Sequence, residues 1–192
     1  MPRRRILVLV VLGLTLVLAA VLFFLRGGWE KPWTEEEIPV SGDTAPPPGE
    51  TEMKKVLLFF PSEADELLHP EEREIVSGPT VEREARRLVE ELINGSRTGL
   101  ISPIPPESQL RQLFITREGT AVVDFSKEFG DRHPSGTSAE MATVFCLVNS
   151  LTRNFSSIKR VFILVNGNER ETLNGHISLA KPFPPASSLI AE

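Results

Sequence analysis

The chain has 192 residues, with 21 Lys and Arg against 26 Asp and Glu, a formal net charge of -5 and a hydrophobic fraction of 41%. That length suits one domain of ordinary size with appendages, and a mean hydropathy of -0.05 excludes a polytopic membrane protein. The mild acidity excludes a dedicated nucleic-acid binder, which would show a basic face.

The first predicted element is a membrane span over residues 6–25 (ILVLVVLGLTLVLAAVLFFL), an uncharged run that rises roughly 30 Å as a helix, the thickness of a bilayer core. Residues 1–5 form a short basic end with Arg3, Arg4 and Arg5, and acids follow the run at Glu30, Glu35, Glu36 and Glu37. This asymmetry predicts a single-pass protein of the cell membrane, with its N-terminus cytoplasmic and its C-terminal domain outside. A cleaved signal peptide would need a shorter apolar core and small residues at the cut; Ala19-Ala20 is followed by VLFFL, so an uncleaved signal anchor is expected. A lipid anchor is not expected, because the sole cysteine, Cys146, lies far beyond the run. Setting aside Arg3, Arg4, Arg5 and Arg26 leaves 17 basic against 26 acidic residues beyond the span, a charge of -9 that discourages adhesion to anionic lipid.

Residues 26–52 read as a Pro-rich linker, with Pro32, Pro39, Pro46, Pro47 and Pro48 and few aliphatic residues to offset ordering entropy. Trp29 and Trp33 stand where indoles favour the headgroup region, or are simply linker aromatics. A globular domain is expected over 53–184, with a tail over 185–192. Residues 54–60 (KKVLLFF) read as a buried strand closed by Pro61, and 71–77 as a weak strand, short or at an edge. Thr80 is placed to cap a helix whose Val81, Ala85, Leu88 and Leu92 form one apolar stripe, ended by Gly95. Residues 96–108 read as a long surface loop with Pro103, Pro105 and Pro106; Leu100, Ile101 and Ile104 either pack beneath it or form an interaction surface.

Residues 110–116 and 120–125 flank Glu118-Gly119 as a hairpin. Thr137 and Glu140 stand at capping-box spacing ahead of a second, more apolar helix with Met141, Val144, Phe145, Val148 and Leu151. Residues 160–165 (RVFILV) form a strand ended by the turn Asn166-Gly167-Asn168, and 176–179 a last short extended segment. The order β-α-β-β-α-β, with extra short strands, predicts an α+β two-layer sandwich of one mixed sheet and two helices.

The strand KVLLFFP (55–61), the segment ARRLVEELING, the hairpin GTAVVDFSKEF (119–129) and the block 147–183, with its LVNG, LNG and KP elements, resemble a GerMN domain. That is the module of spore germination and sporulation proteins of the GerM type and of some actinobacterial envelope lipoproteins; the resemblance spans nearly all of 54–183. It implies an extracytoplasmic, membrane-tethered module without known catalytic chemistry, related in fold to the small ring-building domains of sporulation complexes. Many such relatives are lipid-anchored through cysteine and some carry two tandem domains, of which only one is visible here.

Residues that could carry chemistry are few. His69, His133 and His176 are dispersed and Cys146 has no partner cysteine, so no metal or cofactor is expected. Cys146 lies between Phe145 and Leu147, an apolar setting that disfavours a reactive thiol. Ser135-Gly136 lacks the G-x-S-x-G elbow of a serine hydrolase. Asp124, beside Val123 and Phe125, is expected to accept backbone hydrogen bonds and close a turn with Ser126. No catalytic residue is therefore assigned, and the ligand-binding residues stay open. The expected function is non-catalytic: an envelope binding or scaffolding domain, linked to sporulation, germination or peptidoglycan processes, with envelope proteins or peptidoglycan as partners. Two alternatives stand beside it: a cell-wall-modifying enzyme using Asp124 with Glu63, Asp65 or Glu128, and a structural protein self-associating edge to edge into rings.

Overall fold

The computed structural model describes residues 52–191. The expected membrane span at 6–25, and the linker but for its last residue, lie outside them; among the described residues no helix is long and apolar enough to cross a membrane. The chain runs β1 (Met53–Pro61), β2 (Leu68–Val76), α1 (Val81–Ile93), β3 (Leu110–Ile115), β4 (Thr120–Phe125), α2 (Glu128–Asp131), α3 (Thr137–Asn154) and β5 (Arg160–Val165), then a 3-10 turn at Ser187–Leu189. The α+β class holds.

The expected single mixed sheet is corrected to two sheets. β1 and β2 form an antiparallel hairpin in register over all nine residues, from Met53 opposite Val76 to Pro61 opposite Leu68. β3, β4 and β5 form a separate sheet, mixed because β3–β4 is antiparallel and β4–β5 parallel. The division has a local cause at the other edge of β1, where α3 side chains occupy backbone groups that a further strand would need. Asn154 accepts from Leu57 N–H at 2.9 Å and donates to Leu57 C=O at 2.7 Å, and Ser150 Oγ accepts from Phe59 N–H at 2.9 Å. An edge satisfied by side chains offers no template for pairing. The weak strand at 71–77 is accordingly longer than expected, because β1 supplies it a full partner.

One core joins the parts. Helices α1 and α3 touch each other; α1 also packs on β1, β2 and β3, and α3 on β1 and β5. The α1 stripe buries Ala85, Leu88 and Leu92 as expected, and Thr80 Oγ1 caps the helix by accepting from Arg83 N–H at 3.3 Å. α3 lies deeper, with Val144, Cys146, Leu147, Val148 and Leu151 fully enclosed. In the second sheet Ala121, Val123 and Phe125 sit opposite Val161, Ile163 and Val165, all turned to the core, and Phe125 stacks on Phe129 at 4.1 Å. The segment expected to be extended at 176–179 makes only an isolated bridge, between Thr172 and Ser178.

Two turns require left-handed backbone. Asn166 and Gly167 (φ 55° and 77°) form a two-residue connection of the I′ kind, and Gly119 has φ 82°. A Cβ on Gly119 would stand 2.7 Å from Ser157 O, backbone that cannot swing aside. Gly119→Ala is therefore expected to cost about 2 kcal/mol in urea unfolding, from the left-handed penalty plus this clash; a cost below about 0.5 kcal/mol, typical of surface changes, would show that the turn relaxes freely.

Candidate functional site

Four separated segments enclose an open groove of about 920 Å³. One wall comes from the end of β1 and the β1–β2 loop, with Pro61, Glu63, Glu66 and Leu68. A second wall is the α1–β3 loop from Ile101 to Glu107. The floor is the first half of α3, with Ala139, Met141, Ala142 and Phe145, and Arg132, Pro134 and Leu189 complete the rim.

Hydrogen bonds within the β1–β2 loop and between the two loops fix the walls. The β1–β2 loop is closed by Ser62 N–H to Leu67 O (3.0 Å) and Glu66 N–H to Ser62 O (3.1 Å), which hold Glu66 at φ 58°, a strained conformation for a non-glycine residue. The Pro-rich loop is joined to it by Ile101 N–H to Pro61 O at 2.9 Å. Ile104, 1% exposed, anchors that loop in the core, whereas Ile101 remains 39% exposed beside the groove. The two alternatives for this loop are thus divided between its own residues.

Further in, the Thr143 hydroxyl on α3 lies 2.9 Å from Pro103 O and 2.6 Å from His133 Nε2. His133 Nδ1 is 2.7 Å from Pro134 O, which has only lone pairs, so Nδ1 carries the proton; the single Thr143 hydroxyl proton has three acceptors in reach, His133 Nε2, Pro103 O and Ala139 O at 3.0 Å. Burial lowers the His133 pKa, against the Pro134 carbonyl and Glu140, which favour the charged ring. The C-terminal segment is strapped against α3 and β2: Asn149 exchanges two hydrogen bonds with Ala186 (2.9 and 3.2 Å), and Ala191 N–H reaches Leu68 O at 3.0 Å.

A buried ionic cluster fastens the start of the Pro-rich loop. Glu71 and Arg73, each 5% exposed, are paired on β2, with Arg73 Nε donating to Glu71 at 2.6 Å. Glu71 also accepts from the hydroxyls of Ser96 (2.7 Å) and Thr98 (2.8 Å) and from Arg97 N–H (3.1 Å), while Arg73 donates to Gly95 O (2.9 Å) and Glu91 (2.8 Å). Burial alone would raise the Glu71 pKa; the donors outweigh it and bring the carboxyl down to about 2. The cluster is fully satisfied from within and serves to hold the loop against the hairpin.

The capping box expected at Thr137 and Glu140 is corrected. Gly136 is the residue ahead of α3 and no side chain caps it. Glu140 turns into the interior, wholly buried, and accepts from Ile177 N–H (2.7 Å), His176 N–H (3.2 Å) and His176 Nδ1 (2.9 Å). Burial opposes its charge, yet these donors keep its pKa below the ordinary carboxylate value.

Asp124 accepts from a backbone amide as expected, but not in its own turn. Its Oδ1 takes Gly167 N–H at 2.8 Å in the loop after β5, and Oδ2 lies 3.2 Å from Arg111; Ser126 instead pairs with Gln109. No hydrogen bond or ion pair among the described residues joins Asp124 to Glu63, Asp65 or Glu128, and Asp65 is engaged with His69 at 2.9 Å. The three histidines stay apart, with His69 on Asp65, His133 on Thr143 and His176 on Glu140; among the described residues no three ligating side chains gather for a metal. Cys146 is fully enclosed, and burial pushes its thiol pKa up. Met141 and Ala142 escaped the sequence reading as groove residues, because nothing local distinguishes a helix position facing a groove from one facing core.

Residues 57–171 match the model of the Germane family, described as sporulation and spore germination. A comparison with curated proteins gave no match. Among solved structures, a Clostridium perfringens protein named "Putative Lipoprotein" is similar at 25% identity and TM-score 0.51, over 72% of this chain and 93% of that one. The first GerMN domain of the Bacillus subtilis sporulation protein GerM is similar at 21% identity and TM-score 0.53, over 70% of this chain and 98% of that domain. The tandem GerMN domains of the same protein give 20% identity and TM-score 0.55, over 71% of this chain and 48% of the tandem. The likeness to both Bacillus structures is one of fold.

Proposed function

Because the chain belongs to the Germane family, described as sporulation and spore germination, we propose that its domain is a non-catalytic binding or scaffolding module of the bacterial cell envelope. The apolar run at 6–25 supports a membrane tether, with the domain held outside the cytoplasmic membrane. Tethering raises the domain's effective concentration toward envelope partners, proteins or peptidoglycan, without any covalent step. The observation that carries the reading is the groove, a concave site of the size that takes ligands. The carboxylate suggested for an enzymatic alternative, Asp124, is committed to Gly167 and Arg111.

Ala142→Trp tests the site, since the indole would fill the groove from its floor. In pull-downs from envelope extracts and in sedimentation with purified peptidoglycan, the variant is expected to lose at least about tenfold in retention, the scale of one interface anchor, while its melting temperature stays near that of wild type. Retention unchanged by the substitution would place the binding surface elsewhere.

A further inference from the structure

Among the described residues, every outer strand edge but one is blocked by the chain itself. Asn154 and Ser150 occupy that of β1. On β2, Leu68 O accepts from Ala191 N–H and Val76 O from Arg87, and between them Pro70 has no donor to offer while Glu72 and Glu74 add charge. The edge of β5 is closed by Phe183, which exchanges backbone hydrogen bonds with Val161 at 2.8 and 2.9 Å, and by Asn168 O, which takes Val165 N–H at 3.0 Å. β3 is the exception. Thr116 N–H donates to Thr120 O at 2.9 Å, so by alternation Phe114 turns its backbone groups toward β4, and Leu113 and Ile115 turn theirs outward. Among the described residues nothing bonds to those outward groups. The side chains beside this edge are apolar: Phe114, 49% exposed, is in register with Val122 on β4, and Val122 with Phe162 on β5, one row on the face opposite the core.

From this geometry we propose that two copies of the chain pair through β3, antiparallel about a two-fold axis at Phe114. The occupant of an open edge must be an extended strand whose own edge is free, and β3 of a second copy is such a strand; its apolar row matches because it is the same row. In that register Leu113 of each copy exchanges backbone hydrogen bonds with Ile115 of the other, and the two Phe114 rings meet at the closely spaced, non-bonded position between them. The row then runs unbroken from Phe162 of one copy to Phe162 of the other. A two-fold axis through Leu113 instead sets Phe114 against Gln112 and breaks it. Arg111, already 3.2 Å from Asp124, comes level with a turn that carries both Arg117 and Glu118, so charge neither drives nor bars the pairing. With one open edge per copy the assembly closes as a dimer, whereas a ring needs two complementary edges. The bulge between Leu110 and Gln112 keeps the ladder short, and so short a contact belongs with the weak interfaces below roughly 1,200 Å².

Cysteine cross-linking of the full chain in non-ionic detergent tests the pairing, independently of the groove. In the proposed register Gln112 of one copy faces Thr116 of the other at a non-bonded position, close enough for a disulfide. A mixture of Gln112→Cys and Thr116→Cys under a mild oxidant is expected to give a cross-linked dimer that neither variant gives alone; the native Cys146 is buried and stays out of the reaction. Adding Phe114→Lys to both should lower the yield about tenfold, the scale of one interface anchor, and leave the melting temperature near that of wild type. Absence of dimer from the mixture overturns the proposal. Equal cross-linking by either variant alone also overturns it, because that marks another register or random collision. A yield unchanged by Phe114→Lys places the contact elsewhere and overturns it too. The register comparison stands without Phe114→Lys, should that variant fail to fold.

Discussion

Glu71→Ala is expected to lower the unfolding free energy by about 3 to 5 kcal/mol, the range for removing one partner of a buried ion pair. The loss comes less from the missing attraction than from what remains, since Arg73 keeps its charge inside the protein and the Ser96 and Thr98 hydroxyls and the Arg97 amide lose their acceptor. The same group sets an acid dependence. Its carboxyl is held at about 2 in the folded chain against an ordinary 4.5, so folding favours the charged form. That contribution is complete above about pH 4.5 and disappears as the pH falls toward 2, amounting at most to about 3 kcal/mol. Urea unfolding across this window should show wild type losing more stability than Glu71→Ala; parallel losses would mean that another carboxylate governs the acid limb. Because Glu71 secures the start of the Pro-rich loop, the variant should also expose Ser96–Leu100 amides to hydrogen exchange.

The second large effect is expected at Glu140. Glu140→Ala should cost about 3 kcal/mol, because the amides of His176 and Ile177 lose their acceptor within a packed interior and a cavity is left on α3. Its pKa, too, is depressed, so its contribution is present above the ordinary carboxylate range and is lost as the pH falls below it. Hydrogen exchange should quicken at residues 173–179 while β1 and β2 keep their protection. Uniform acceleration across the chain, or no acceleration at 173–179, would show that Glu140 does not act as the clamp of that loop.

Both carboxylates mark the boundary of what was legible. In the sequence Glu71 is one of the acids of a weak strand and Glu140 stands at capping-box distance from Thr137. Local spacing favours a cap, but Gly136 takes that position and the interior supplies Glu140 with donors 36 and 37 residues away. The Asp124 reading was half legible: a backbone acceptor was foreseeable from a short polar side chain at a strand end, while its partner, 43 residues on, was not.

The sequence by itself determined the local elements and the family likeness. The apolar runs of β1 and β5, the stripe on α1, the Thr80 cap and the left-handed turns at Gly119 and Asn166-Gly167 all follow from periodicity and backbone chemistry acting over a few residues. Only the tertiary structure decided that the strands form two sheets, because the groups that close the β1 edge, Asn154 and Ser150, stand 97 and 91 residues from the amides they occupy. It likewise decided the groove, whose walls and floor come from segments that no local pattern connects. Hydrophobic period and turn chemistry are short-range signals, whereas edge blocking, buried-charge satisfaction and concavity arise only when distant segments are packed together.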